Sequence, residues 1–197
     1  MLDILRMIAD YSYQDFDGRD MKGWTVLDRA AAFATVEEVS ELIKQGANPE
    51  SISLPLGWKA IHHAVYHNNH NNFVALLPYY GDNVASMEDE RGWTLLHIAA
   101  SAGHDQIVRH LLGMGADPNC VSEPSVSYIP ISAHMSESLF GKRCTPGEVA
   151  SAYGTDRLSQ YQAALHDYGL SDNALDAFEK DDEGNVFLDA SDGLTVV

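Results

Sequence analysis

The sequence predicts an all-α repeat protein, a short solenoid of about four helix-turn-helix units joined by β-hairpin fingers. The first observation is a Gly-Trp dipeptide that returns at spacings of 34 and 35 residues, a period typical of helical repeats. The three copies are Gly23-Trp24, Gly57-Trp58 and Gly92-Trp93. The second observation is the apolar pattern that follows each copy and fits one face of a short helix. In the third copy these residues are Leu95, Leu96, Ala99 and Ala100.

A second apolar stretch in each unit predicts an outer helix that runs back along the inner one. In the third copy this stretch contains Ile107, Val108 and Leu111. Gly103 and Asn68 lie where the inner helix turns into the outer one, and both residue types tolerate a left-handed backbone there. Glycine returns after each outer helix, where the chain leaves for the next unit. These glycines are Gly46, Gly81 and Gly115.

Composition excludes several classes of function. The 197 residues are 45% hydrophobic, enough to bury a core, and 29 acidic against 12 basic side chains give a net charge of −17. A nucleic-acid partner is not expected, because the positive field that releases counterions is missing. The two cysteines, Cys120 and Cys144, are too few for a disulfide framework and are expected as free thiols. Charged residues interrupt the apolar N-terminus, so we expect neither a signal peptide nor a membrane span, and a cytoplasmic or nuclear location.

Two segments carry a resemblance to a known family. Residues 92–104 run Gly-Trp-Thr-Leu-Leu-His-Ile-Ala-Ala-Ser-Ala-Gly-His, and residues 111–119 run Leu-Leu-Gly-Met-Gly-Ala-Asp-Pro-Asn. They resemble the ankyrin repeat almost position by position, and the resemblance covers about residues 20–170. The repeated tryptophans, together with residues 144–150, resemble ankyrin segments of large fungal multidomain proteins. This resemblance implies a protein-binding array.

The repeat pattern predicts the domain boundaries. Residues 1–19 are expected to form an N-terminal capping helix or a partial repeat, and residues 171–197 an acidic C-terminal cap or tail. The repeats are predicted at 20–53, 54–88, 89–120 and 142–170, with a long loop inserted at 121–141. Within the acidic segment, two short strands around the turn at residues 182–185 are expected to form a hairpin that caps the last helices.

One departure from the family pattern concerns the joints between units. The family uses a histidine near the helix start to bridge neighbouring loops, which the resemblance assigns to His62 and His97. Asp28 and Glu148 occupy this position in the first and fourth units. We therefore expect these two joints to be less rigid than the others.

Candidate chemistry is sparse. His63, His67 and His70 have helical spacing for a metal site, but Asn68 ends that helix, so no metal or cofactor is expected. Residues 179–190 resemble a calcium loop, yet Ala190 stands where the bidentate carboxylate is needed. No nucleophile or phosphate-loop motif occurs in the sequence, which favours a protein without catalytic activity.

The family's variable positions identify the residues predicted to contact a partner. The inner-helix positions are Phe33, Tyr66, His67, Ala102 and Tyr153. The finger positions are Lys22, Trp24, Leu56, Trp58, Glu90, Arg91 and Trp93. Tryptophan, tyrosine and arginine dominate binding energetics, so an aromatic row on one face suits a protein interface. The same tryptophans could instead be framework that packs between fingers, and the sequence leaves both interpretations open.

Three functions remain compatible with these patterns. The first is an interaction module that binds a protein or peptide along its concave face, and Lys22, Arg91 and Lys142 favour an acidic partner. The second is a structural or sensing segment that contacts neighbouring domains of a larger protein. The third is an enzyme with an unrecognised site. The sequence does not determine the partner or the oligomeric state.

Overall fold

The computed structural model describes residues 15–124, 139 and 141–172, together with the backbone of 179–180 and 186–187. Within these residues the helices come in consecutive antiparallel pairs, as the repeat pattern predicts. The inner helices are α1 (Val26–Phe33), α3 (Ala60–Tyr66), α5 (Leu95–Ala102) and α7 (Pro146–Ala152). The outer helices are α2 (Val36–Lys44), α4 (His70–Leu76), α6 (Asp105–Gly113) and α8 (Thr155–Asp167). After α4 the chain continues through the 3₁₀ turns Leu77–Tyr79 and Gly81–Ser86.

The core is one continuous layer between inner and outer helices, filled by the apolar positions that the repeat pattern identified. Neighbouring inner helices pack on each other, because their alanines allow a close approach. The turns between paired helices have the predicted left-handed backbone, with φ of 73° at Gly103 and 56° at Asn68. None of the helices in the described part of the chain is long and apolar enough to span a bilayer.

Each inner helix begins with the same local hydrogen bond. The side chain three positions after the N-cap residue accepts a hydrogen bond from the backbone N–H of that N-cap residue. Asp28 Oδ2 accepts from Thr25 at 2.7 Å, and His97 Nδ1 accepts from Thr94 at 3.1 Å. Lys59 donates in the same way to His62 Nδ1 at 3.1 Å. This arrangement satisfies one of the free N–H groups at a helix start, so aspartate and histidine are interchangeable for the cap itself.

The fingers are tighter than paired strands. Single backbone bridges close them, Ser53 with Trp58 and Glu88 with Thr94, because a glycine at positive φ turns the chain back after very few residues. The prediction of β-hairpin fingers is therefore met only as hairpin-like turns in the described residues. Neighbouring fingers are joined by backbone hydrogen bonds from Leu54 to Gly23, from Glu90 to Leu56 and from Glu123 to Arg91, each 3.1 Å long.

The fourth finger contains the insertion. Ser122 donates its backbone N–H to the Cys144 carbonyl at 3.0 Å, just as Asp89 donates to Trp93 at 2.9 Å. Residues 90–92 complete the third finger, whereas residues 123–143 separate the two partners in the fourth. The first residues of the predicted insertion at 121–141 therefore belong to the fourth finger. Most of the insertion lies outside the described residues.

The end of the array is closed by an aspartate. The buried Asp172 carboxylate accepts hydrogen bonds from Thr145 Oγ1 at 2.9 Å and from the Gly147 backbone at 3.1 Å, at the start of α7. Further on, β1 (Glu179–Lys180) pairs antiparallel with β2 (Val186–Phe187). The strand pair agrees with the predicted hairpin, whereas its role as a cap on the last helices stays a prediction. The predicted N-terminal segment 1–19 lies largely outside the described residues.

Candidate functional site

Two of the repeated tryptophans belong to a buried network between the second and third fingers. Trp58 Nε1 donates to Asp89 Oδ2 at 2.9 Å, and Arg91 donates to the same oxygen from Nη2 at 2.6 Å. The guanidinium of Arg91 also lies 3.9 Å from the ring centre of Trp93. Trp58 and Trp93 are only 7% and 5% exposed. The geometry favours framework over exposed anchors for these two rings, because their faces are already occupied.

Leu56 is a further predicted contact residue that the structure buries, at 5% exposure. Its carbonyl accepts the hydrogen bond from Glu90 that joins the second and third fingers. The side chains of Lys22 and Glu90 are exposed at the fingertips, as predicted. The fingers therefore expose charged side chains together with the apolar side chains of Met21 and Leu54, while the rings of Trp58 and Trp93 lie beneath them.

The exposed aromatic surface lies at the C-terminal ends of the inner helices α1 and α3. Phe33 and Tyr66, which end these helices, are 49% and 41% exposed. His67 lies between them, with ring-centre distances of 4.6 Å to Phe33 and 5.1 Å to Tyr66. Half-buried Trp24 stacks near Phe33 at 6.4 Å and meets His67 at 5.7 Å. We refer to Trp24, Phe33, Tyr66 and His67 as the aromatic patch.

The fourth unit extends this surface with a stacked arginine. Arg157, at the start of α8, lies with its guanidinium 5.3 Å from the ring centre of Tyr153 and donates to the Ser101 carbonyl. Both Tyr153 and Ala102 are half-buried at the ends of their inner helices. The predicted contact residues of the inner helices therefore all lie at the C-terminal ends of those helices.

Charge is distributed unevenly over the described surface. Six basic side chains have a carboxylate partner within 4.0 Å: Arg29, Lys44, Lys59, Arg91, Arg109 and Arg143. Four form no ion pair with described residues: Arg19, Lys22, Lys142 and Arg157. All four lie on the fingers or beside Tyr153. The outer helix α2, by contrast, carries Glu37, Glu38 and Glu41.

Three histidines are buried inside the array, and burial lowers the pKa of each because the core disfavours a charged imidazole. The pKa falls to about 4 for His62, about 3 for His63 and about 4 for His97. His97 Nε2 donates to the Cys144 carbonyl at 2.8 Å and so bridges the third and fourth units, as the family resemblance implies. His62 Nε2 forms no hydrogen bond with any residue that the structure describes, so the bridge expected at the second unit is not seen among them. The predicted lower rigidity at Asp28 and Glu148 stays a prediction.

A serine, a histidine and an aspartate meet at the joint of the first two units, and their geometry does not suit nucleophilic catalysis. Ser53 Oγ lies 2.7 Å from His63 Nε2, and Asp28 Oδ1 lies 3.9 Å from the same nitrogen. A catalytic base needs the nucleophile on one ring nitrogen and the orienting carboxylate on the other. The three side chains are also buried, which leaves no room for a substrate.

The histidines with metal-like spacing are separated by the fold. His63 is in the core and His67 is in the aromatic patch, whereas His70 begins α4 and its Nε2 lies 3.0 Å from His110 Nδ1. The described residues contain no group of three or more potential metal ligands. The calcium-like segment 179–190 has no described side chains.

Sequence reasoning missed the residues that tie one unit to the next. Asn72, fully buried on α4, donates its amide to the carbonyls of Ala30, Ala31 and Ala34 at 3.1, 3.1 and 2.9 Å. His104 and Arg157 reach the ends of the preceding inner helices in the same way. Asp89 also went unnoticed, although Asp20 and Asp89 each precede a repeated tryptophan by four residues, a signal that was present in the sequence.

Comparison with known proteins agrees with this architecture. A family model described as ankyrin repeats, in three copies, matches residues 27–122. Mouse protein phosphatase 1 regulatory subunit 27 is 32% identical over an alignment of 123 residues that covers 56% of this chain and 79% of that protein. This chain belongs to the ankyrin-repeat family.

Two human proteins are also similar. Ankyrin repeat and SOCS box protein 3 is 36% identical over 94 residues, and the human protein phosphatase 1 regulatory subunit 27 is 36% identical over 88 residues. The chain spans 18% of the first protein and 56% of the second. These relatives are animal proteins, so the predicted likeness to fungal multidomain proteins has no support from them and stays a prediction.

Proposed function

We propose that this ankyrin array binds another protein or a peptide along its concave face and that the aromatic patch is the centre of the contact. The observation that carries the proposal is the continuous ring contact from Trp24 through Phe33 and His67 to Tyr66, with Phe33 and Tyr66 still 49% and 41% exposed. Large apolar rings left open on a folded surface favour an interface, because covering them releases water.

The partner segment is proposed to carry acidic side chains beside an aromatic or aliphatic one. In a chain of net charge −17, a basic group that forms no ion pair with described residues indicates where an acidic partner could bind. Lys22 and Arg157 are two such groups, and they flank the concave face. An acidic segment would meet these cations while its apolar side chain covers the aromatic patch. The same charge pattern disfavours nucleic acid as the partner.

A structural or sensing role inside a larger protein is the second candidate. It is favoured by the coverage of the human relatives, since similar arrays occupy only part of those proteins. In the structural or sensing role, the occupant of the concave face is a neighbouring domain of the same protein rather than a separate one. For binding to a separate protein, the name of one relative suggests a protein phosphatase as a partner to test.

Affinity capture with four baits tests the proposal. The wild-type array is compared with Phe33→Ala and Tyr66→Ala, and Tyr79→Ala is the matched control because Tyr79 is 45% exposed in the 3₁₀ turn after α4. Truncation of a central anchor, Phe33 or Tyr66, should weaken binding by about 2 kcal/mol, which raises the dissociation constant roughly thirtyfold. Loss of the same partner from all three variants, or from none, would contradict a site at the aromatic patch.

Arg157→Ala separates the charge contribution from the aromatic one. We expect a smaller loss of affinity for this variant and a weaker dependence on salt, because one steering charge is removed while the rings remain. Measurement of association and dissociation rates at two ionic strengths checks this. An unchanged salt dependence would argue against an acidic segment near Arg157.

A further inference from the structure

The joint between the first and second units contains a carboxylate that the fold leaves incompletely bonded. Asp28 Oδ2 accepts hydrogen bonds from Thr25 N at 2.7 Å and Thr25 Oγ1 at 2.9 Å. Asp28 Oδ1 is buried and forms no hydrogen bond with described residues, although it lies 3.9 Å from His63 Nε2 in the next unit. A buried carboxylate oxygen without a donor is unfavourable when it is charged.

His63 has the complementary deficiency. Its Nε2 contacts Ser53 Oγ at 2.7 Å, and Ser53 Oγ also lies 2.9 Å from the Trp58 carbonyl, which has no proton to donate. Ser53 must therefore give its proton to Trp58, and His63 Nε2–H donates to Ser53. The second nitrogen, Nδ1, is buried and forms no hydrogen bond with described residues. Both side chains are at most 2% exposed, so neither atom can be solvated without movement.

The charges around this pair largely offset one another. The charged and titratable side chains that face it are Arg19, Asp20, Arg29, His62, His67 and Tyr80. Arg29 is bound to Asp20, and Arg19 and Asp20 act on Asp28 with opposite signs. Burial is therefore the main influence on the protonation of Asp28, and it raises the pKa of this carboxyl group to about 6.

The pair is in direct contact with the proposed binding surface. The indole ring of Trp24 lies on the imidazole of His63, with ring centres 4.2 Å apart, and reaches Phe33 and His67 on its exposed side. A change in the proton content of the pair alters the field and the packing beneath Trp24. Trp24 is thus the link between the buried joint and the aromatic patch.

We propose that the Asp28 carboxyl group, buried against His63, is a proton-binding site that takes up one proton from water in mildly acidic solution and thereby changes the position of Trp24. The proton resides on Asp28 Oδ1, because His63 Nε2 already carries the proton that it donates to Ser53, and no other bond changes. This inference rests on the proposed function in one respect only: a pH-dependent aromatic patch makes partner binding depend on pH.

The test uses the whole chain labelled with 5-fluorotryptophan and needs no partner. The three tryptophan resonances are followed by fluorine NMR from about pH 5 to about pH 8, and Trp24→Phe assigns the signal of interest. We expect the Trp24 resonance to shift with a midpoint near pH 6 and the Trp93 resonance to stay constant. In Asp28→Asn the Trp24 shift should be lost, whereas in His67→Gln it should persist.

Three outcomes would overturn the inference: a Trp24 resonance that does not move, a titration that survives Asp28→Asn, or one that disappears in His67→Gln. If Asp28→Asn does not fold, carbon NMR of the Asp28 carboxyl group in the wild-type chain answers the same question. A carboxyl group already fully ionised at about pH 5 would contradict the proposal. Failure of partner binding leaves all of these measurements unaffected, so the two proposals fail separately.

Discussion

The contact between neighbouring fingers makes one glycine substitution much more costly than another of the same backbone type. Gly92 and Gly81 have nearly equal φ values, 68° and 65°. A Cβ on Gly92 would lie 2.6 Å from the backbone nitrogen of Glu123, whereas a Cβ on Gly81 would meet nothing within 4 Å. The pair Gly92→Ala and Gly81→Ala therefore separates backbone strain from the clash between fingers.

The magnitudes follow from these two sites. Alanine in the left-handed region costs about 1–2 kcal/mol, partly offset by a less flexible unfolded chain, so Gly81→Ala should lose about 1 kcal/mol of unfolding free energy. At Gly92 the fourth finger must also move away, which breaks the 3.1 Å hydrogen bond from Glu123 to the Arg91 carbonyl. The broken bond and the clash should add a further 1–3 kcal/mol.

Urea denaturation followed by circular dichroism measures both variants against wild type. Since strain and unfolded-state effects are common to both glycines, the difference between the variants reports the finger contact. Equal losses for the two variants, to within about 0.5 kcal/mol, would mean that the fingers do not pack as the structure shows. A change in the urea slope would indicate that the array no longer unfolds in one step.

The remaining predictions concern buried polar groups and pH. Asn72→Ala should lower the unfolding free energy by about 2–5 kcal/mol, because it leaves carbonyls of the first inner helix without donors. The control Asn71→Ala, at an exposed position, should change it by less than about 0.5 kcal/mol. Equal urea midpoints for the two variants would show that Asn72 does not stabilise the contact between the units. Trp93→Ala should cost about 3–5 kcal/mol, and a soluble variant with wild-type stability would show that the ring is not framework. Stability should fall as the pH drops from about 6.5 towards about 4, by roughly 1–3 kcal/mol per pH unit, because the unfolded chain protonates histidines that the fold keeps neutral. Asp28 acts in the opposite direction, since its raised pKa favours the fold below about 6, so Asp28→Asn should steepen the loss.

The periodic residues determined the array without any tertiary information. The Gly-Trp spacing and the apolar positions after it define the inner helices, because a short helix has only one apolar face to bury. The left-handed turns at Gly103 and Asn68 follow from local backbone preference and are confirmed. These features depend on neighbours in sequence, and for that reason sequence alone was sufficient.

The exposed surface was decided by contacts between units. All three tryptophans occupy one repeat position, yet only Trp24 remains half-exposed. The indole of Trp58 is bound by Asp89 of the following finger, whereas the finger that follows Trp24 has Ser53 at the equivalent place. The pairing of Asp28 with His63 likewise joins residues of different units that no local pattern relates. Burial and hydrogen bonding of this kind depend on which side chain the neighbouring unit presents, and the tertiary structure alone brings those side chains together.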